Sequence, residues 1–141
     1  MKIWKFLFSL SAVLICLFCT NAFADTAVIV HPSNGDAIDK DFVIKLYLGK
    51  EKSYPGGGSA IPINLKEGLP IRSGFDEGVL GKSSSQVKSY WSKLLFTGKG
   101  TPPKEVDTSA EAKALVAQNP STIAYIDSSE VDASVKVLFT F

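Results

Sequence analysis

The stretch TSAEAKALVAQNPSTIAYI, Thr108 to Ile126, decides the fold class. Thr108 followed three residues later by Glu111 is a capping box, which satisfies free N–H groups at a helix start. The helix it opens runs to about Gln118, because Pro120 disfavours helical backbone at Asn119. Ser121 to Ile126 then reads as a buried strand around Ile123, Tyr125 and Ile126. A helix giving way within a few residues to an apolar strand is the unit of a layered α/β protein.

The same alternation extends toward both ends. Ala27 to Val30 is a short β-branched run ended by the turn residues His31 to Gly35. Asp36 and Asp39 are candidate caps for a helix whose apolar face carries Phe42, Val43, Leu46 and Tyr47. Gly49 is its natural stop, and Lys50 and Lys52 suit the negative end of the helix. A glycine loop around Gly56 to Gly58 leads to a strand from Ile61 to Leu65, with Pro62 at an edge or early position. Phe75 to Leu80 is expected as a short helix. Ser84 to Phe96 is the clearest one, with Val87, Tyr90, Trp91, Leu94 and Leu95 on one face and Gly98 as its stop. Thr101 to Pro103 starts an extended linker, and Ser134 to Phe141 alternates as a last strand. The predicted order is β-α-β-α-α-α-β-β, an α/β domain with a mixed sheet flanked by helices. Lys45 to Lys50 and Leu94 to Lys99 look alike, which we read as two helix ends with the same stop chemistry.

Residues 1–24 read differently. Lys2 and Lys5 precede an apolar run from Phe6 to Phe18, and Ala22-Phe23-Ala24 places small residues where a signal peptidase cuts. The apolar run is shorter than the ~20 residues that span a bilayer. This predicts a signal peptide over 1–24, export to a bacterial periplasm, a domain over 25–141 and no membrane span after cleavage. Phe18 before Cys19 is a poor lipobox. Taking 24 residues from 141 leaves 117, and losing Lys2 and Lys5 takes the 15 basic residues to 13, against 14 acidic. Cys16 and Cys19 leave with the signal, so the exported part has no thiol for a disulfide or a metal. The near-neutral charge also excludes electrostatic nucleic-acid binding.

Catalytic chemistry is absent from the residue pattern. His31 is the single histidine, too few for a histidine metal site, and no nucleophile elbow accompanies it. Gly81-Lys82-Ser83 ends like a phosphate loop, but Asp76 stands where that loop needs glycine. No enzyme activity, metal or cofactor is expected. One candidate binding site remains, Arg72-Ser73-Gly74, entering the expected helix at Phe75. Arg72 is the only arginine among the 15 basic residues, and its guanidinium suits an oxyanion. Ser73 adds a hydroxyl donor and Gly74 permits close backbone approach at a helix start. The plain alternative makes Ser73 an ordinary N-cap and Arg72 a solvated surface charge.

Three segments carry a resemblance. Leu46-Tyr47-Leu48-Gly49-Lys50, a glycine loop and Ile61-Pro62-Ile63-Asn64 resemble the second-lobe segment of phosphate-binding proteins of ABC transporters. Tyr90 to Pro103 looks like a short-chain subgroup of that superfamily. Ala117 to Ile126 is similar to the family's Asn-Pro-Gly-x-Ile-Gly-Tyr-Val. The resemblance implies a single-lobe, type II periplasmic-binding-protein-like domain, because 117 residues match one lobe. It implies an exported solute-binding-like protein with a small oxyanion such as phosphate as ligand. Of the family's anion loop only Arg72, Ser73 and Gly74 carry over, with Phe75 at the place of a threonine. The alternative is a non-enzymatic envelope module that kept the fold and binds a partner protein or itself.

Overall fold

The computed structural model describes residues 25–141; the predicted signal peptide, 1–24, lies outside the described residues. Strand β1 (Thr26–Val30) leads to helix α1 (Lys40–Tyr47), strand β2 (Ile61–Leu65) and helix α2 (Pro70–Phe75). A π-helical turn (Asp76–Leu80) joins α2 to helix α3 (Ser84–Phe96). Strand β3 (Lys104–Val106), helix α4 (Ser109–Gln118), strand β4 (Thr122–Asp127) and strand β5 (Lys136–Thr140) complete the chain, with a 3₁₀ turn (Ser128–Glu130) after β4. The five strands form one sheet in the order β3-β2-β4-β1-β5. It is mixed as predicted: β2 runs parallel to β3 and β4, while β1 runs antiparallel to β4 and β5.

Local chemistry places the helices where their caps stand. Asp39 accepts the Phe42 N–H at 2.8 Å, so it, and not Asp36, starts α1. Ser83 and Gln86 form a reciprocal capping box at α3. Thr108 accepts the Glu111 N–H at 3.1 Å, but the Glu111 carboxylate reaches back one residue further, to the Asp107 N–H.

Two expectations are corrected. The linker after Thr101 contains β3, a strand of three residues with only Val106 buried, too short for alternation to reveal it. The helix expected at Phe75 starts at Pro70, which fits the first turn because its missing N–H has no partner to lose there. Pro62 lies in an inner strand. It precedes Ile63, where pairing with β3 begins, so it removes no hydrogen bond on that side.

The core gathers along β1 and β4, whose residues from Ala27 to Val30 and Ile123 to Ile126 are fully buried. Phe75 lies flat on Tyr125 with ring centroids 3.9 Å apart, and Tyr47 tilts against Phe75 at 4.7 Å. β2 and β4 pair over only two residues before they diverge. Tyrosine hydroxyls fill the gap. The Tyr47 hydroxyl donates to the Ile63 carbonyl at 2.7 Å and lies 3.3 Å from that of Ile123. The Tyr125 hydroxyl donates to Asn64 and accepts from the Leu65 N–H. Burial pushes both phenols to higher pKa, so they stay neutral donors.

The twin helix stops are built alike. Gly49 and Gly98 have φ of 74° and 69°, and each following lysine N–H closes on the carbonyl five residues back, Lys50 on Lys45 and Lys99 on Leu94. They differ in their surroundings. A Cβ on Gly49 would lie 2.8 Å from the Trp91 ring, which Gly100 also approaches closely, while a Cβ on Gly98 would meet nothing within 4 Å. Gly98→Ala is therefore expected to cost about 1–2 kcal/mol from backbone strain alone. Gly49→Ala should cost about 2–4 kcal/mol, because strain and overpacking add. Urea midpoints of the two variants check this; equal losses would mean that the Trp91 ring yields freely.

Candidate functional site

Arg72, Ser73 and Gly74 lie inside α2, not ahead of it. Ser73 is therefore not an N-cap: Leu69 holds that position and provides no side-chain cap. The N–H groups of Arg72 and Ser73 both close on the Leu69 carbonyl, at 3.0 and 3.2 Å, and Pro70 has none to offer. Two of the donors expected at a helix start are thus already used within the turn.

Arg72 is also not a surface charge. It is 5% exposed and sits where three elements meet. Its Nε donates to Asp76 Oδ2 at 2.9 Å, one helical turn on. Its Nη1 donates to the Leu65 carbonyl at the end of β2, at 2.8 Å, and to Glu105 Oε1 in β3, at 2.9 Å. Asp76, fully buried, takes a further hydrogen bond from the Ser84 hydroxyl at 2.8 Å, which ties α2 to the start of α3. Asp76 Oδ1 is buried with no hydrogen-bond partner among the described residues.

The electrostatics follow from this crowding. Burial pushes the Asp76 carboxyl above its usual range, against the pull of Ser84 and Arg72. Burial also weakens the hold of Arg72 on its proton, but Asp76 and Glu105 more than reverse that, so its pKa is raised. One cation faces two carboxylates, which leaves the cluster without surplus positive charge.

The three predicted residues do not converge. The Arg72 side chain points to β2 and β3, whereas Gly74 lines a different depression of about 620 Å³ beside Leu69, Ile71, Gly78, Asp127 and Phe141. That surface is almost wholly apolar. Its carboxylate, Asp127, is held below its usual range by hydrogen bonds from Ser129, so it carries negative charge. The sequence analysis missed Asp76 and Glu105 as partners. The i, i+4 spacing of Arg72 and Asp76 was a usable signal; Glu105 lies 33 residues away and offered none.

Three solved structures share this fold. An ABC-type phosphate transport receptor from Vibrio cholerae matches with TM-score 0.62 at 18% identity, over 81% of this chain and 46% of its own. A phosphate ABC transporter substrate-binding protein from Clostridium perfringens, solved with bound phosphate, matches with TM-score 0.64 at 22% identity, over 81% and 44%. PstS from Borrelia burgdorferi matches with TM-score 0.59 at 15% identity, over 82% and 47%. The chain thus spans less than half the length of these structures. It has the α/β, periplasmic-binding-protein-like architecture that the resemblance implied. No family model matches the chain, and neither does any curated protein.

Removing the guanidinium would leave Asp76 buried without its cation. Arg72→Met is expected to destabilise the protein by about 3–5 kcal/mol at neutral pH. The deficit should shrink on acidification. An acid whose folded pKa is raised costs stability while ionised, and the cost is relieved as pH falls through that value. In Arg72→Met the folded pKa of Asp76 rises further, so relief should come at higher pH than in the unmodified protein. Urea unfolding from neutral pH down to about pH 5 measures both effects. A small deficit independent of pH would mean that Asp76 does not need the arginine.

Proposed function

We propose that the chain is an exported, non-enzymatic solute-binding protein that recognises a small oxyanion such as phosphate. The observation that carries this is the shared fold with the Clostridium perfringens protein, solved with bound phosphate, over 81% of this chain. The predicted signal peptide over 1–24, a periplasmic location and a domain over 25–141 belong to the same proposal. Of the three residues expected from the sequence, Arg72 is the one this proposal rests on, since Gly74 lines a different depression. Arg72 Nη2 lies outside the bonds to Asp76, Leu65 and Glu105, which leaves its N–H groups for an anion. The two carboxylates beside Arg72 weaken the attraction, so affinity should be no better than roughly millimolar.

A second reading, an envelope interaction module that binds a partner protein or a second copy, is favoured by a different observation. The depression beside Gly74 is apolar and carries Asp127, which suits a protein surface better than an anion.

Calorimetry of the full chain with phosphate and sulfate distinguishes the two. Saturable heat in the millimolar range is expected for phosphate. Gly74→Ala serves as a probe of the apolar depression, because a Cβ there meets nothing within 4 Å, so folding should be preserved, and Gly74 lies away from the guanidinium. The added methyl should leave the phosphate heat unchanged and weaken association with a partner or a second copy severalfold. No heat from either anion on a folded protein would end the oxyanion reading. It would leave the module, which sedimentation and a pull-down from periplasmic extract then test.

A further inference from the structure

The two helix stops that look alike in sequence come together in space. Lys50, from the end of α1, and Lys99, from the end of α3, line one surface depression of about 590 Å³. Lys52 lines it as well, and Tyr90, Trp91 and Leu94 form part of its wall. The three lysines are exposed. The ion pairs among the described residues use Arg72, Lys88 and Lys113, so none of these three is neutralised by one. No carboxylate lines the depression; Glu51 lines the adjoining one.

Beside this cationic surface stands an apolar tip. Phe96, the last residue of α3, is 94% exposed, and Leu95 before it is 52% exposed and lines the depression. Both close the helix whose inner face buries Val87 and Trp91 against the core, so the tip is held on a rigid element. An exposed phenylalanine is costly in water, and three lysines in one place repel one another. Both costs are removed by a surface that offers negative charge outside and hydrocarbon beneath. Anionic phospholipid has that layering: phosphates for the lysine ammonium groups and acyl chains for Phe96 and Leu95.

We propose that Lys50, Lys52 and Lys99, together with Leu95 and Phe96, form a docking surface for an anionic phospholipid membrane. The charge complementarity sets the occupant: a neutral apolar partner would satisfy Phe96 and leave the lysines facing one another. The surface uses none of the residues proposed for oxyanion recognition, so either assignment can fail without the other.

Vesicle co-sedimentation tests it, with the full chain expressed and taken as the cell processes it. The expected result is binding to phosphatidylcholine vesicles containing about a third phosphatidylglycerol, weak binding to pure phosphatidylcholine, and loss of the difference at high salt. Replacing the three lysines by serine should lower the partition onto anionic vesicles roughly a hundredfold, at about 1 kcal/mol per lysine. Phe96→Ser should lower it roughly tenfold at unchanged charge. All four side chains are exposed, so circular dichroism melts should match those of the unmodified protein. The proposal is overturned if both variants partition like the unmodified chain, or if anionic and neutral vesicles bind equally. A dimer that dissolves on Phe96→Ser, with no vesicle binding, overturns it as well and makes a second copy the occupant.

Discussion

One buried guanidinium holds the middle of this molecule together. Arg72 bonds at the same time to the end of β2, to a carboxylate one turn along its own helix, and to β3. Withdrawing a charge from water is costly, and only near-complete hydrogen bonding offsets it. The planar fork of arginine spreads five N–H donors over three nitrogens, so Nε meets Asp76 while Nη1 meets Leu65 and Glu105, a span that the single ammonium nitrogen of lysine does not cover. That explains why the one arginine of the chain stands at this junction. Asp76 then passes the constraint on, because the oxygen that receives Arg72 also receives Ser84, at the first turn of α3. The register of α2, the π-helical turn and α3 against the sheet all depend on this pair.

A related constraint operates between β2 and β4. Two parallel strands that pair over two residues and then separate leave backbone groups stranded inside the protein. Tyr47 and Tyr125 reach into the gap with hydroxyls while their rings pack on Phe75. A phenylalanine at either place would keep the packing and leave buried carbonyl or N–H groups without partners, so the aromatic cluster is polar for a structural reason.

How much of this was legible in the sequence depends on how local the cause is. Helices ended by caps and breakers were readable: Ser84 to Phe96 matches the structure at both ends, because Ser83 and Gly98 act within a few residues of where they stand. α2 was misplaced because the helix was expected only from Phe75, although the ring of Pro70 suits a first helical turn. β3 escaped notice because its partner, β2, lies some forty residues away and three residues carry no period. The partners of Arg72 stayed hidden for the same reason. A lone basic residue in sequence looks solvated, and only the fold brings Glu105 and the β2 carbonyl to it.

The fold and the site therefore carry different weight. The fold is shared with three solved structures, one of them with bound phosphate, at identities from 15% to 22%. A shared scaffold does not by itself supply the donors of an anion site. An anion at a helix start needs free N–H groups, a hydroxyl, and a local excess of positive charge. Here Pro70 in the first turn of α2 has no N–H, those of Arg72 and Ser73 close on Leu69, and the nearby guanidinium is matched by two carboxylates. Lysines without an ion pair lie elsewhere, among them those that follow the two helix stops. In those positions lysine first serves the negative ends of two helices. The packing of both ends around Trp91 then gathers that charge on one face, so a local device for ending helices produces a surface with its own affinity.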